Sequence, residues 1–247
     1  MPALDGILEA IEKNDQSTFR IWLTTMPSDK FPVTIVQNAV KVTSEPPKGL
    51  KNNMIQSYMG FSSSMFDDCK KPVQLRRLLW GLCFFNALII ERRKFGPLGW
   101  NIRYEFSASD LRISKDQLIQ FLNHYDFVNY DALKYMVAQA NYGGRVTDTN
   151  DRITIAVILE DFYNEKMISE PNHKLSESGK YYVPSDGSKQ DYIDFLKDPT
   201  TFPTEATPEI FGMHDNAAIT AAINDTNNLM DTLLTLQPRS VGTGGKT

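Results

Sequence analysis

The sequence has few of the residues that build metal centres and disulfide frameworks. Among 247 residues there are only two cysteines, Cys69 and Cys83, which lie fourteen positions apart with no CxxC spacing. The three histidines, His124, His173 and His214, share no ligand-like spacing. Zinc sites and secreted disulfide scaffolds require closely spaced sets of such ligands. We therefore expect no metal site and two reduced thiols.

Strong net charge and long apolar runs are absent as well. The net charge is −4, which gives no reason to expect nucleic acid or an anionic membrane as a partner. The most apolar stretch, residues 78–90, is shorter than the roughly 20 residues that a membrane-spanning helix needs. The first residues lack the basic start and apolar core of a signal peptide. We expect residues 78–90 to form a buried helix.

Helical hydrophobic spacing occurs in much of the chain. The segments with apolar residues three and four positions apart are 4–13, 74–93, 115–124, 130–140, 189–197 and 217–236. Ser109 or Asp110 is a candidate cap for a short turn, and the sequence Asn-Tyr-Gly-Gly at 141–144 predicts a C-terminal cap with a left-handed glycine.

Residues 152–159 are ambiguous, because their β-branched run favours a strand when read locally. In the wider window, Ile155, Leu159 and Phe162 have helical spacing and follow a cap candidate at Asp148, Asn150 or Asp151. The wider pattern predicts a helix.

Two short segments have the composition of strands. Residues 19–25 are aromatic and β-branched and are stopped by Pro27, which is typical of a strand buried on both faces of a parallel sheet. Residues 40–43 form a second extended candidate before two prolines. After Pro171 the composition predicts an irregular linker to about Pro208. The sequence thus predicts an α+β, mainly α fold, with divisions at 1–62, 63–170 and 171–247.

The tail at 240–247, SVGTGGKT, is similar to a phosphate-binding P-loop. Ser240 stands where the first glycine of G-x-x-x-x-G-K-[ST] belongs. No hydrophobic strand precedes the tail, and no helix follows in these residues to present its N-terminus to a phosphate. We expect a flexible linker.

Several longer strings resemble the end of the motor ring of dynein heavy chains. FRIWLTTMPSDKFPVTIVQNAVKVTSEPPKGLKNN resembles the second half of the sixth AAA+ module. LRRLLWGLCFFNALIIERRKFGPLGWNI, YEFSASDLRIS and NYGGRVTDTNDR resemble its helical lid. PEIFGMHDNAAIT with LLTLQPR is similar to the start of the C-terminal domain. GWNI and NYGGRVTD resemble the axonemal, inner-arm sequences of the family.

The resemblance implies a partial AAA+ α/β subdomain, a helical lid and a further long helix. It implies a structural and mechanical role in a ring that moves along microtubules, with ATP and magnesium bound by other modules. The implied partners are the neighbouring AAA+ modules, the C-terminal domain of the same heavy chain, other dynein subunits and, indirectly, microtubules. The implied location is the cytoskeleton of a ciliary or flagellar axoneme. We expect no catalytic residue and no cofactor in this chain.

Four residues occupy positions where AAA+ proteins place nucleotide sensors. Thr24 and Thr25 end the first predicted strand, and Arg145 and Arg152 flank the start of a lid helix. We expect the threonines to cap a strand end, and the arginines to pair with Asp148, with Asp151 or with a neighbouring module. Two alternatives stay open: an ATP-binding fragment that uses the GTGGKT tail or Thr25, and a stand-alone dynein-like adaptor.

Trp80, Phe84 and Phe85 lie close together in the segment 74–93. Aromatic clusters anchor protein interfaces, but apolar residues at helical period more often form a core. We expect these three to be core residues.

Overall fold

The structure is a computed structural model that describes residues 6–7, 20–25, 31–42, 47–66 and 68–236. The chain divides into two compact units, residues 1–45 and residues 46–247. The tail at 240–247 lies outside the described residues, as does most of the helix predicted at 4–13, of which Gly6 and Ile7 are helical.

Besides the helical residues 6–7, the described part of the first unit contains the helix α1 (Val33–Asn38). Residues 20–25 and 40–42 are irregular, so the strands predicted there are wrong wherever the structure describes them. A strand buried on both faces requires a hydrogen-bonded neighbour on each edge. Within the described residues of this unit neither segment is paired as a strand, and Trp22 and Val40 are 85% and 94% exposed.

The second unit is built from helices, which confirms a mainly α fold. They are α2 (Leu50–Met59), α3 (Pro72–Glu91), α4 (Ala108–His124), α5 (Tyr130–Tyr135), α6 (Thr149–Phe162), α7 (Lys166–Ser169), α8 (Lys189–Lys197) and α9 (Ala217–Leu236). Short 3₁₀ segments lie at Ser64–Phe66, Arg92–Leu98, Gly143–Arg145 and Pro208–Phe211, and a π-helical turn at Met136–Asn141. The described β-structure of this unit is one isolated antiparallel bridge, Lys174 with Tyr182.

Helix α3 forms the centre of this unit. Every residue from 78 to 89 is buried, and α2, α4, α6 and α7 pack around the helix. Gly81 permits the closest of these approaches, because a Cβ there would lie 1.9 Å from the carbonyl oxygen of Phe162. By length and composition Pro72–Leu98 could cross a membrane, but most of it is buried inside the unit. The predicted buried helix is confirmed.

The N-termini of α4 and α6 show how side chains fix helix starts. Helix α4 begins before the predicted segment, with Ser107 as N-cap and Asp110 as the acidic partner of a capping box. Ser109 and Asp110 are therefore not the N-cap. Helix α6 covers the ambiguous residues 152–159, and its N-cap is Asp148, whose carboxylate accepts a hydrogen bond from the Asp151 amide. The prediction of a helix is confirmed.

The predicted glycine cap at 141–144 is wrong. The chain continues from α5 through the π-helical turn into the 3₁₀ turn Gly143–Arg145, and neither glycine has a positive φ. Gly143 is instead placed where a Cβ would lie 2.2 Å from the carbonyl oxygen of Ala138. The glycine therefore allows close backbone packing at this turn.

The segment 171–208 is irregular, as predicted, but it is packed onto α3. Tyr181 and Phe202 are buried and contact Phe84, with ring centroids 5.6 Å and 6.3 Å from it. Helix α8 lies where it was predicted and packs on α2. The division at 62/63 and 170/171 stays a prediction.

Candidate functional site

The two threonines proposed as sensor-like positions lie in the first unit. Thr24 and Thr25 are exposed in the irregular segment 20–25, so they do not end a strand. A phosphate sensor requires a strand end that aims the side chain at a nucleotide together with other converging groups. In an irregular segment, neither side chain is aimed by the end of a strand.

Arg145 is neutralised within the second unit. Its Nε lies 3.0 Å from Oδ2 of Asp110 and 3.1 Å from Oδ1, and a terminal nitrogen reaches Oγ of Ser107 at 3.4 Å. The Asp110 side chain is only 7% exposed and that of Arg145 is 48% exposed. The expected pairing of Arg145 with Asp148 or Asp151 is therefore wrong. Its partner is the capping-box carboxylate of α4, so a phosphate would have to compete with this ion pair.

Arg152 also interacts inside the second unit. A terminal nitrogen donates to the carbonyl oxygen of Val146 at 2.8 Å. The two acids expected to pair with it have other partners: Asp151 accepts from the amides of Asn101 and Ile102, while Asp148 accepts from the Asp151 amide. The Asp151 amide is also the main reason why the pKa of Asp148 lies below its usual range. This network fixes the loop after α3 to the start of α6.

The residues around Arg145 join three helices. Asn141 donates to Ser114 Oγ at 2.9 Å and to Gln117 Oε1 at 2.7 Å, both on α4. The buried Tyr142 hydroxyl donates to Asn86 Oδ1 on α3 at 3.0 Å. With the Arg145–Asp110 pair, these bonds connect the turn after α5 to α3 and α4. Asn86 and Ser107 were not among the predicted site residues, although the three-residue spacing of Ser107 and Asp110 is a capping-box signal.

We find no set of metal ligands in the described ranges. No group of three or more His, Cys, Asp or Glu side chains there could hold an ion. Cys69 and Cys83 are both free and buried. Burial raises the pKa of the Cys83 thiol well above its ordinary value, which makes this thiol unreactive.

The aromatic cluster on α3 belongs to the core, as predicted. Trp80, Phe84 and Phe85 are fully buried. Trp80 contacts Tyr58 of α2 and Tyr192 of α8 at centroid distances of 5.8 Å and 5.7 Å. These side chains are not available to a partner.

A different apolar surface is exposed, on α9. Its contact with the rest of the second unit is made near the turn Arg92–Leu98 and buries Ala217 and Ala221. At 100° per residue, most of the large apolar side chains lie on the opposite side of the helix, with Leu229 and Leu236 at its border. They are each more than half exposed: Ile219, Ile223, Leu229, Met230, Leu233, Leu234 and Leu236. We call this surface the outer face of α9. Contiguous exposed apolar surface of this kind marks interaction sites.

Two family models match the chain. The model described as "Dynein heavy chain AAA lid domain" matches residues 75–217, which is more than half of the chain. The model described as "Dynein heavy chain region D6 P-loop domain" matches residues 1–43. The first match covers the helical unit around α3, and the second covers the first unit.

Similar full-length proteins are axonemal dyneins. The chain is 47% identical over 251 residues to dynein axonemal heavy chain 3 of Homo sapiens and 46% identical over 254 residues to heavy chain 12 of Mus musculus. It is 47% identical over 248 residues to heavy chain 1 of Rattus norvegicus. Each match covers 100% of this chain but only 5–8% of the relative's length. The chain therefore belongs to the dynein heavy chain family, and residues 75–217 are its AAA lid domain.

Proposed function

We propose that this chain is a mechanical segment of the motor ring of an axonemal dynein heavy chain, with no nucleotide site of its own. It connects the end of the sixth AAA+ module to the C-terminal domain and transmits rigid-body rotation between modules. The observation that carries this proposal is the outer face of α9. This wide apolar surface points away from the lid, so a neighbouring module is needed to bury it.

We propose that this chain has no nucleotide site because both sensor-like arginines already have partners within the chain. Arg145 is bound to a largely buried carboxylate, and Arg152 is bound to a backbone carbonyl. ATP and magnesium are then bound by other modules of the heavy chain, and this segment is not an enzyme by itself. We place the segment in the axoneme of a cilium or flagellum, in an inner-arm dynein, with microtubules as an indirect partner.

The partners that we propose are the neighbouring AAA+ modules and the C-terminal domain of the same heavy chain, together with other dynein subunits. The C-terminal domain is the proposed cover of α9. Only Asp225 and Asp231 carry charge on this helix, and the apolar arc is wider than the seam of a two-stranded coiled coil. A broad apolar surface such as the side of a helical domain fits that arc.

Equilibrium dialysis of the chain with labelled ATP and magnesium tests the nucleotide part. We expect no saturable binding in the micromolar range. Arg145→Met serves as the matched variant, because it removes the guanidinium but keeps the apolar stem. Saturable binding that Arg145→Met abolishes would establish a nucleotide site in the lid and overturn this part of the proposal.

Microtubule gliding by a heavy chain that contains this segment tests the mechanical part. Ile223→Asp places a charge on the outer face of α9, whereas Asn228→Asp adds the same charge on the opposite side of the helix. We expect Ile223→Asp to slow gliding while basal ATP turnover is kept, and Asn228→Asp to behave like the parent. Equal gliding speeds in the two variants would contradict the docking of the outer face.

A further inference from the structure

The guanidinium of Arg92 is a buried cation at the point where α9 joins the lid. Arg92 follows the last residue of α3 and is 8% exposed. Its Nε donates to the carbonyl oxygen of Gly99 at 3.2 Å, and one terminal nitrogen donates to that of Phe211 at 2.5 Å. Among the residues that the structure describes, no carboxylate lies within ion-pair distance of it. The carboxylate of Asp151 acts on Arg92 through space and partly offsets the effect of burial on its pKa. A buried cation that has no direct contact with a carboxylate is costly, so its position calls for a role.

The groups that hold Arg92 come from separate parts of the chain. Gly99 lies in the loop after α3, and Phe211 ends the turn that leads into α9. The Trp100 ring lies beneath the guanidinium, 5.2 Å from its carbon, and the Trp100 indole N–H donates to the carbonyl oxygen of Ile89 at 3.1 Å. Arg92 thus connects the C-terminal end of α3 to the turn that precedes α9.

Aromatic packing reinforces the same connection. The rings of Phe95 and Phe211 are 5.0 Å apart in an edge-to-face arrangement, and the Lys94 ammonium lies 4.9 Å from each ring. Gly96, with a φ of 59°, approaches the side chain of Asn224 on α9. These contacts fix the turn at 208–211 and the first part of α9, while residues 225–236 are exposed throughout.

We propose that Arg92 is a positioning residue that sets the direction in which α9 leaves the lid. The fork of the guanidinium bonds to two carbonyl groups of different segments at once, which a single ammonium group cannot do with the same geometry. Burial lowers the pKa of Arg92 to about 10, so the group is charged at neutral pH. This assignment concerns a contact within the chain and stands apart from the motor function proposed above.

The test compares Arg92→Met with Arg93→Met, which changes the exposed neighbour, in the full 247-residue chain. Hydrogen exchange is measured on residues 208–224 and on α3. In Arg92→Met the two carbonyl oxygens lose their donor, and we expect amides of 208–224 to exchange at least about tenfold faster. Amides of α3 should keep their protection, and Arg93→Met should match the parent. Equal loss of protection in both regions would make Arg92 a general core residue and overturn the assignment.

A distance measurement tests the direction of α9 itself. Spin labels are attached at Asp131→Cys, whose parent side chain is 97% exposed, and at Asn228→Cys on α9. Both native cysteines are buried and should stay unlabelled. We expect one narrow distance distribution in the parent and in Arg93→Met, and a broad one in Arg92→Met. A narrow, unshifted distribution in Arg92→Met would refute the assignment.

Should Arg92→Met fail to give a cooperative melt, Arg92→Lys takes its place in both measurements. Lysine keeps the charge but loses the fork, so we expect a distribution broader than that of the parent. A distribution identical to the parent would show that charge alone suffices, and it too would overturn the assignment.

Discussion

Truncation of Trp80 gives a direct test of how the lid is held together. The side chain is fully buried on α3 and contacts rings from α2, α8 and the segment 171–208. Trp80→Ala removes the ring around which these segments meet. Such truncations cost about 3–5 kcal/mol. For a unit of this size, 1 kcal/mol lowers the melting temperature by about 2–4 °C, so we expect a decrease of roughly 6–20 °C.

The assay is thermal unfolding followed by far-ultraviolet circular dichroism, with Trp22→Ala as the matched control. Trp22 is 85% exposed, so its truncation should leave the melting temperature of the helical unit almost unchanged. Trp80→Phe separates the effect of ring volume from that of the polar N–H group. It keeps most of the ring volume and removes an indole N–H that has no partner among the described residues. We expect it to cost much less than Trp80→Ala.

A melting temperature in Trp80→Ala that equals that of Trp22→Ala would refute the reasoning. It would mean that the rings around Trp80 do not form a packed core in solution. Loss of a binding partner at unchanged stability would assign the cluster to an interface instead.

Four further predictions follow from the described contacts. Gly81→Ala should destabilise the lid more than a typical surface substitution, since the added Cβ would overlap the Phe162 carbonyl. Urea unfolding would measure the loss of stability. Burial raises the pKa of Tyr181 from 10.0 to about 12, so the folded state favours the protonated phenol. The contribution of Tyr181 to stability should thus be constant below about pH 10 and fall above it, as melting curves from neutral pH upward would reveal; a flat profile from neutral pH to pH 12 would contradict this. Hydrogen exchange should be slow in α3 and much faster at residues 20–25, and equal protection would contradict the irregular structure there. Deletion of residues 240–247 should leave the melting temperature unchanged, and a loss of several degrees would show that the tail is docked.

The helices could be predicted from sequence because their hydrophobic spacing agrees with their packing. Helices α8 and α9 begin and end where the pattern placed them. The helix at residues 152–159 could be predicted only from a longer stretch of sequence. The local β propensity of these residues is outweighed by the burial of Ile155 and Leu159 on one side of a helix. The burial of Trp80 followed from the same argument.

The predictions that were wrong concern contacts that the spacing of apolar residues in the sequence does not determine. A strand requires neighbouring strands, and residues 20–25 are irregular in the structure. The partner of Arg145 is thirty-five positions away in sequence, so the nearer acids were favoured wrongly. Gly143 was expected to form a left-handed helix cap, but in the structure it allows close backbone packing. Arg92 gave no sequence signal, because its bonds are to backbone carbonyl groups.

The central position of α3 has a consequence for synthesis on the ribosome. Most of the segments that cover it, from α4 to Phe202, come later in the chain, so on the order of a hundred residues must follow α3 before it is enclosed. At about 5–20 residues per second this interval lasts roughly 5–20 s. During that time the nascent chain shows an apolar helix long enough to resemble a membrane span. The lid should therefore depend on chaperone binding early in its synthesis, and ribosome profiling of chaperone-bound nascent chains should show occupancy that falls once Phe202 has emerged.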